Sequence, residues 1–248
     1  MKKFFSKFAY AIIPFAIFIC SLLLSFYGNQ LLTNYASEGT MHYGTTWPET
    51  VLDNYVPLVP WFVYIYFLTF PVSILTYFYL ASKNKKMHYD IFLTLVISFL
   101  ISGIIYFFFQ SRLIKPDFTP DSFTDKLLVW TWNSTNPTNN FPSQHCFMAI
   151  AVFIACVDCK EMNKGYRVFG CIASTMIVLS TVFTKQHYVV DFFASLAIML
   201  PVYFLVKFTG IGKKTQNGFD KFYSKFKKKK TVQEEAKPEE TKPENEQE

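Results

Sequence analysis

Two histidines, a carboxylate and a serine stand at the mouths of apolar runs in this sequence. Phe141-Pro142-Ser143-Gln144-His145 closes a polar stretch and opens an apolar one, and His187 with Asp191 opens another. Ser143, following Pro142, has the chemistry of a helix N-cap. Such a cap leaves the first-turn N–H groups and the positive helix end facing outward, a cradle for phosphate. Gln144 adds an amide at the same mouth, and His145 is placed to give a proton to a departing oxygen. His187 and Asp191 are four apart and share one helical face. A carboxylate bonded to one imidazole nitrogen fixes the tautomer and leaves the other nitrogen free to attack. Asp191 also lies just inside an apolar run, where a carboxylate is costly and points to function. Arg112, Lys115 and Lys185 are cations in the adjoining connections, suited to phosphate oxygens, Arg bidentately and Lys as a point charge. Taken singly, each motif has a plainer reading: a helix start with an interfacial histidine, or a His–Asp pair tying two helices together.

The elements that must position these groups are apolar and long. The chain has 248 residues, 51% hydrophobic and 19% aromatic, with 29 Phe against 9 Gly, a balance foreign to soluble domains. Runs of about 20 apolar residues, the length that crosses a hydrocarbon core, recur six times. The expected spans are 8–32, 60–81, 89–110, 144–159, 166–184 and 188–208. The fold class is therefore all-α, an integral membrane six-helix bundle over residues 1–210. A basic juxtamembrane segment (211–230) follows, with Phe219, Phe222 and Phe226 on one face, suited to anionic lipid. Residues 231–248 have little to bury and read as disordered. The first run is too long for a cleaved signal peptide, and no small-residue cleavage site follows it. Pro71 interrupts the second span.

Lys and Arg cluster before the first span, after the second and fourth, and after the last. By the positive-inside rule both termini are cytoplasmic. Arg112, Lys115, Ser143, Gln144, His145, Lys185 and His187 then share the outer face. The net charge of +6 is distributed as membrane topology requires, so nucleic acid is not an expected partner. The five cysteines lie in or near apolar runs, without zinc or disulfide spacing, and read as small apolar residues.

Phe-Pro-Ser-Gln-His at 141–145 with Thr-Lys-Gln-His-Tyr-Val-Val-Asp at 184–191 resembles the type 2 phosphatidic acid phosphatase (PAP2) superfamily. That family reads Lys-x6-Arg-Pro, Pro-Ser-Gly-His and Ser-Arg-x5-His-x3-Asp, and the resemblance covers about residues 50 to 205. The chain carries Gln144 in place of Gly, Thr181 in place of the third motif's Arg, and Lys115-Pro116 in place of Arg-Pro. In these respects it is more similar to the branch of inositol phosphorylceramide synthase-like phosphotransferases. The resemblance implies phosphoryl transfer without metal or cofactor. His187 would match the nucleophile that becomes phosphohistidine, Asp191 its orienting carboxylate, and His145 the acid for the leaving lipid alcohol. Ser143 and Gln144 would belong to the phosphate-holding loop, and Arg112 or Lys115 to the end of the first motif.

The expected protein is a multi-pass lipid phosphatase of the plasma membrane, its site facing outside, with the bilayer and a lipid phosphate as partners. A lipid phosphotransferase is the alternative within the same chemistry. A proton-coupled transporter using His187 and Asp191, or an inactive scaffold, are the alternatives outside it.

Overall fold

The computed structural model describes residues 10–24, 28, 31, 50–109, 111–135 and 140–235, with side chains as far as Lys225. These residues are all-helical, without strands. Four helices are long and apolar enough to cross a membrane: Phe62–Lys83, Lys85–Phe108, Lys164–Phe183 and Val189–Thr209. Two apolar helices are shorter, α1 (Tyr10–Leu24) and α7 (Gln144–Asp158).

The first long element is two helices, α3 (Phe62–Phe67) and α4 (Thr69–Lys83), joined at Leu68. Pro71 explains the join. It has no N–H to give Phe67, and its ring crowds that carbonyl, so the chain restarts with Pro71 inside the first turn of α4, where proline is tolerated. α5 (Lys85–Phe108) follows at once, its N-terminus capped by Asn84, whose side chain accepts from Met87 N.

α7 runs through the middle of the bundle, with every residue from Cys146 to Val152 buried. Phe147 meets Phe99 of α5 edge-on, 5.8 Å between ring centroids. Its other flank is α8 (Lys164–Phe183), pressed so close that a Cβ on Gly170 would stand 2.3 Å from Cys156 Sγ. A helix of 15 residues rises about 22 Å, less than a hydrocarbon core of about 30 Å. Enclosure by α4, α5, α8 and α9 (Val189–Thr209) removes the need for α7 to match the lipid.

The two ends of the bundle differ. At one end Asn84 Nδ2 meets Glu161 Oε1 at 2.9 Å, Lys207 pairs with Asp158, and Lys85 pairs with Asp220. α10 (Ile211–Glu235) lies across this end. Gly212 fits against Asp90, and Phe219 stacks near Tyr89 with centroids 5.5 Å apart. Phe219 is thus taken up by the bundle, whereas Phe222 is 44% exposed. The helix continues through Glu235; the side chain of Phe226, and residues 236–248 of the tail read as disordered, lie outside the described residues.

The other end gathers the connections. α2 (Val51–Tyr55) and α6 (Phe123–Ser134) lie here, neither anticipated from the apolar pattern. α6 starts at a capping box in which Ser122 Oγ accepts from Asp125 N and Asp125 Oδ2 accepts from Ser122 N. It buries Leu128 and Trp132 against Val63 and Leu58.

Candidate active site

The α8–α9 turn is the centre of this end. Gln186 N and His187 N both donate to Thr181 O, at 2.9 and 3.0 Å, closing the turn through Lys185, whose backbone is left-handed at φ 51°. A left-handed lysine is uncommon, and here its ammonium is anchored, donating to the carbonyls of Val56 (2.7 Å) and Asp53 (3.1 Å). Trp132 Nε1 holds Thr184 O at 2.8 Å, and Val59 N holds Phe183 O at 2.9 Å.

His187 emerges from this turn 6% exposed, and Asp191 one turn later 1% exposed. The imidazole Nδ1 and Asp191 Oδ2 are 2.9 Å apart. A carboxylate only accepts, so Nδ1 carries the hydrogen and Nε2 the lone pair. Asp191 Oδ2 also accepts from Tyr188 N at 3.1 Å. Burial first, then the Lys115 charge, push the His187 imidazole down to about 3, against an opposing backbone interaction from Asn140. Both effects favour the neutral ring.

Ser143 caps α7 as expected, its Oγ accepting from Cys146 N at 3.2 Å. Its carbonyl accepts from Ser195 Oγ at 3.1 Å, and Tyr106 Oη donates to Pro142 O at 2.7 Å. The loop that opens α7 is therefore held by α5 and α9, the helices that flank the His187 side. His145 follows, its Nδ1 3.3 Å from Tyr66 Oη and its ring stacked on Tyr66 at 4.4 Å. The His145 and His187 rings lie 5.9 Å apart between centroids, inclined at 54°. Two imidazoles 42 residues apart in sequence are thus neighbours, one ring bonded to a carboxylate and the other beside a phenol.

The cations divide. Lys115 Nζ donates to Lys185 O (2.7 Å) and Gln186 Oε1 (2.9 Å), above the face of Trp132. Burial pushes its ammonium down to about 7. These contacts to the two residues that precede His187 place it beside the histidine pair. Lys185 Nζ is taken up by the carbonyls of Asp53 and Val56, and Arg112 is exposed. Gln144 is partly exposed at the first turn of α7.

Four further residues enter the site without having been singled out from the sequence. Asp53 is buried in α2, and its Oδ1 accepts from Val189 N at 2.8 Å, satisfying a first-turn donor of α9. Tyr66, Ser195 and Gln186 complete the surroundings. Ser195 had a legible signal, since it continues the four-residue spacing of His187 and Asp191. Asp53 and Tyr66 had none.

A family model described as the PAP2 superfamily matches residues 36–205. No curated protein and no solved structure matches the chain.

Proposed function

The chain belongs to the PAP2 superfamily, and from that premise we propose that it is a membrane lipid phosphatase working through a phosphohistidine at His187. The observation that carries the reading is the buried His187–Asp191 hydrogen bond, 2.9 Å long, facing a second imidazole across 5.9 Å. In the first step His187 Nε2 attacks phosphorus in line with the ester oxygen. The P–O bond to the lipid breaks as N–P forms, and His145 gives its proton to the leaving alcohol. The phosphoimidazole is then cationic at the ring, and Asp191 Oδ2 stabilises it. Water enters from the vacated side, His145 takes its proton, and phosphate leaves as the N–P bond breaks. A lipid or polyol hydroxyl in place of water makes the same site a phosphotransferase. Lys115, and Arg112 where it reaches the headgroup, offset the charge on the phosphoryl oxygens.

An apolar groove between α7, α8 and α9 supports a substrate with a long tail. Phe153, Leu179, Phe183 and Phe193 line it, and it reaches Val189 at the start of α9. We further propose six spans, with α1 and α7 completing the four long elements, and both termini cytoplasmic. Lys83, Lys85, Lys86, Lys164, Arg167, Lys213 and Lys214 lie at the bundle end away from His187, which supports a site facing outside the cell. On α10, exposed Lys213, Lys214 and Lys221 suit anionic lipid of the inner leaflet.

The test is turnover by purified protein in lipid–detergent micelles with EDTA. Donors are phosphatidic acid, a polyprenyl diphosphate and a phospholipid mixture. Phosphate release that is absent in His187→Ala and His145→Ala is the expected result. A new phospholipid without free phosphate converts the reading to a transferase. No turnover of any donor, with variants indistinguishable from the parent, overturns it in favour of a transporter or scaffold.

A further inference from the structure

Gln186 precedes the nucleophile in the chain, and its side chain is 3% exposed. Its Oε1 accepts from Lys115 Nζ at 2.9 Å and from Thr135 Oγ1 at 3.3 Å. Its Nε2 is buried without a hydrogen-bond partner among the described residues. The two ends of an amide are told apart by their network, and this network is decisive. In its charged form Lys115 has only donors, so turning the amide over would set NH2 against NH3+. Nε2 therefore faces away from Lys115 with its hydrogens unmet.

Enclosed donors are nearly always satisfied, and an unmet one is costly to keep. An acceptor that arrives with a ligand removes that cost on binding. Lys115 is in a matching state. Two of its three N–H groups are spent on Lys185 O and Gln186 Oε1, and one remains. Gln186 and His187 are chain neighbours whose N–H groups both donate to Thr181 O, so the Lys115–Gln186 pair stands beside the residue at which phosphorus would sit.

We propose that Gln186 is a phosphate-binding residue: its Nε2 donates to a non-bridging oxygen of the phosphoryl group at His187, while its Oε1 aims the remaining N–H of Lys115 at the same group. The assignment rests on the phosphoryl-transfer reading above. It gives the pocket a neutral, directional donor beside a point charge, and it separates two functions within one amide.

Gln186→Glu distinguishes them. It keeps an oxygen for Lys115 and Thr135 and replaces the NH2 by an acceptor. A residue that only holds Lys115 tolerates this change, since the ion pair holds the lysine better. A phosphate donor does not, because oxygen then faces oxygen. The expected result is a fall of about 100-fold in kcat/KM and a rise of about 10- to 100-fold in the inhibition constant of orthovanadate, at an unchanged melting temperature. Should Gln186→Glu fail to fold, Gln186→Met is compared with the parent and again within Lys115→Met. A further loss of about 10-fold in the Lys115→Met background supports direct contact with phosphate. No further loss there overturns it, as does a Gln186→Glu protein with parental kinetics and parental orthovanadate inhibition. A parent that neither turns over a phosphate ester nor binds orthovanadate overturns the phosphoryl-transfer reading itself.

Discussion

Replacing Asp191 by asparagine is the most informative single change at the histidine pair, because the geometry ranks it against alanine. Asp191 Oδ2 accepts from two donors, His187 Nδ1 at 2.9 Å and Tyr188 N at 3.1 Å. An asparagine must choose which end to put there. The amide oxygen satisfies both donors, whereas the NH2 would meet the Tyr188 N–H head-on. The oxygen therefore takes the Oδ2 position, and the His187 tautomer with Nε2 unprotonated is kept. What is lost is charge. A hydrogen bond to an ionised acceptor contributes roughly twice a neutral one, a difference of about 1–2 kcal/mol. At about 1.4 kcal/mol per decade, kcat falls roughly 5- to 30-fold. Alanine removes the acceptor altogether. The imidazole is then free to take the unproductive tautomer, and the loss is about 10³- to 10⁴-fold, the scale seen when an orienting carboxylate is removed from a catalytic histidine. The assay is single-turnover formation of the phosphohistidine from a radiolabelled lipid phosphate, beside steady-state release. Asn and Ala proteins equally inactive would refute the argument that Tyr188 N orients the amide. An Ala protein with parental turnover would remove Asp191 from the mechanism.

Lys115 ties activity to pH. Its ammonium is held near about 7 by burial, well below the ordinary lysine value, so the cation is present below that pH and lost as pH rises through it. The kcat/KM of the free enzyme is expected to fall above pH about 7, and Lys115→Arg is expected to move that limb upward by several units; an unmoved limb would exclude Lys115 as its source. Asp53→Ala strips the acceptor from Val189 N and from Thr50. Each donor left unpaired in a buried setting costs about 1–3 kcal/mol, so a drop of several degrees in melting temperature is expected, and no shift would mean that water replaces the carboxylate.

The apolar skeleton was legible because a hydrocarbon solvent demands long uninterrupted runs, and Lys85–Phe108 and Val189–Thr209 fall close to the expected boundaries. α6 was hidden because its stretch is rich in polar residues, although Ser122-x-x-Asp125 is a readable capping box. The short α2 left no periodic signal. That His145, His187 and Asp191 come together at one end of the bundle was legible from their places at the mouths of runs. The contacts of Lys185 were not: charge and position suggest a phosphate ligand, and nothing local foretells that its ammonium meets the carbonyls of Asp53 and Val56. Those partners are more than 120 residues away in the chain, and no local pattern encodes them. Gln186 was passed over for the same reason. Its meaning depends on Lys115, which the fold alone brings beside it.

These long-range contacts have a common direction. α2 reaches the α8–α9 turn through Asp53 and the anchored Lys185, α3's leading segment through Val59, α6 through Trp132, and the loop after α5 through Lys115. Four separate segments thus hold the one turn from which the His187 ring projects. Phosphoryl transfer offers the protein little covalent work beyond the attack itself, and its barrier is lowered mainly by position and charge. In the reading proposed above, a nucleophile on a turn held from four sides meets that demand, and so does an acid packed against Tyr66. Trp132, which holds one of these carbonyls, is buried beside Leu128. Substitutions at Asp53 or Trp132 are therefore expected to lower kcat through the angle of His187 and to leave orthovanadate inhibition unchanged; a matching rise in the orthovanadate inhibition constant would refute this.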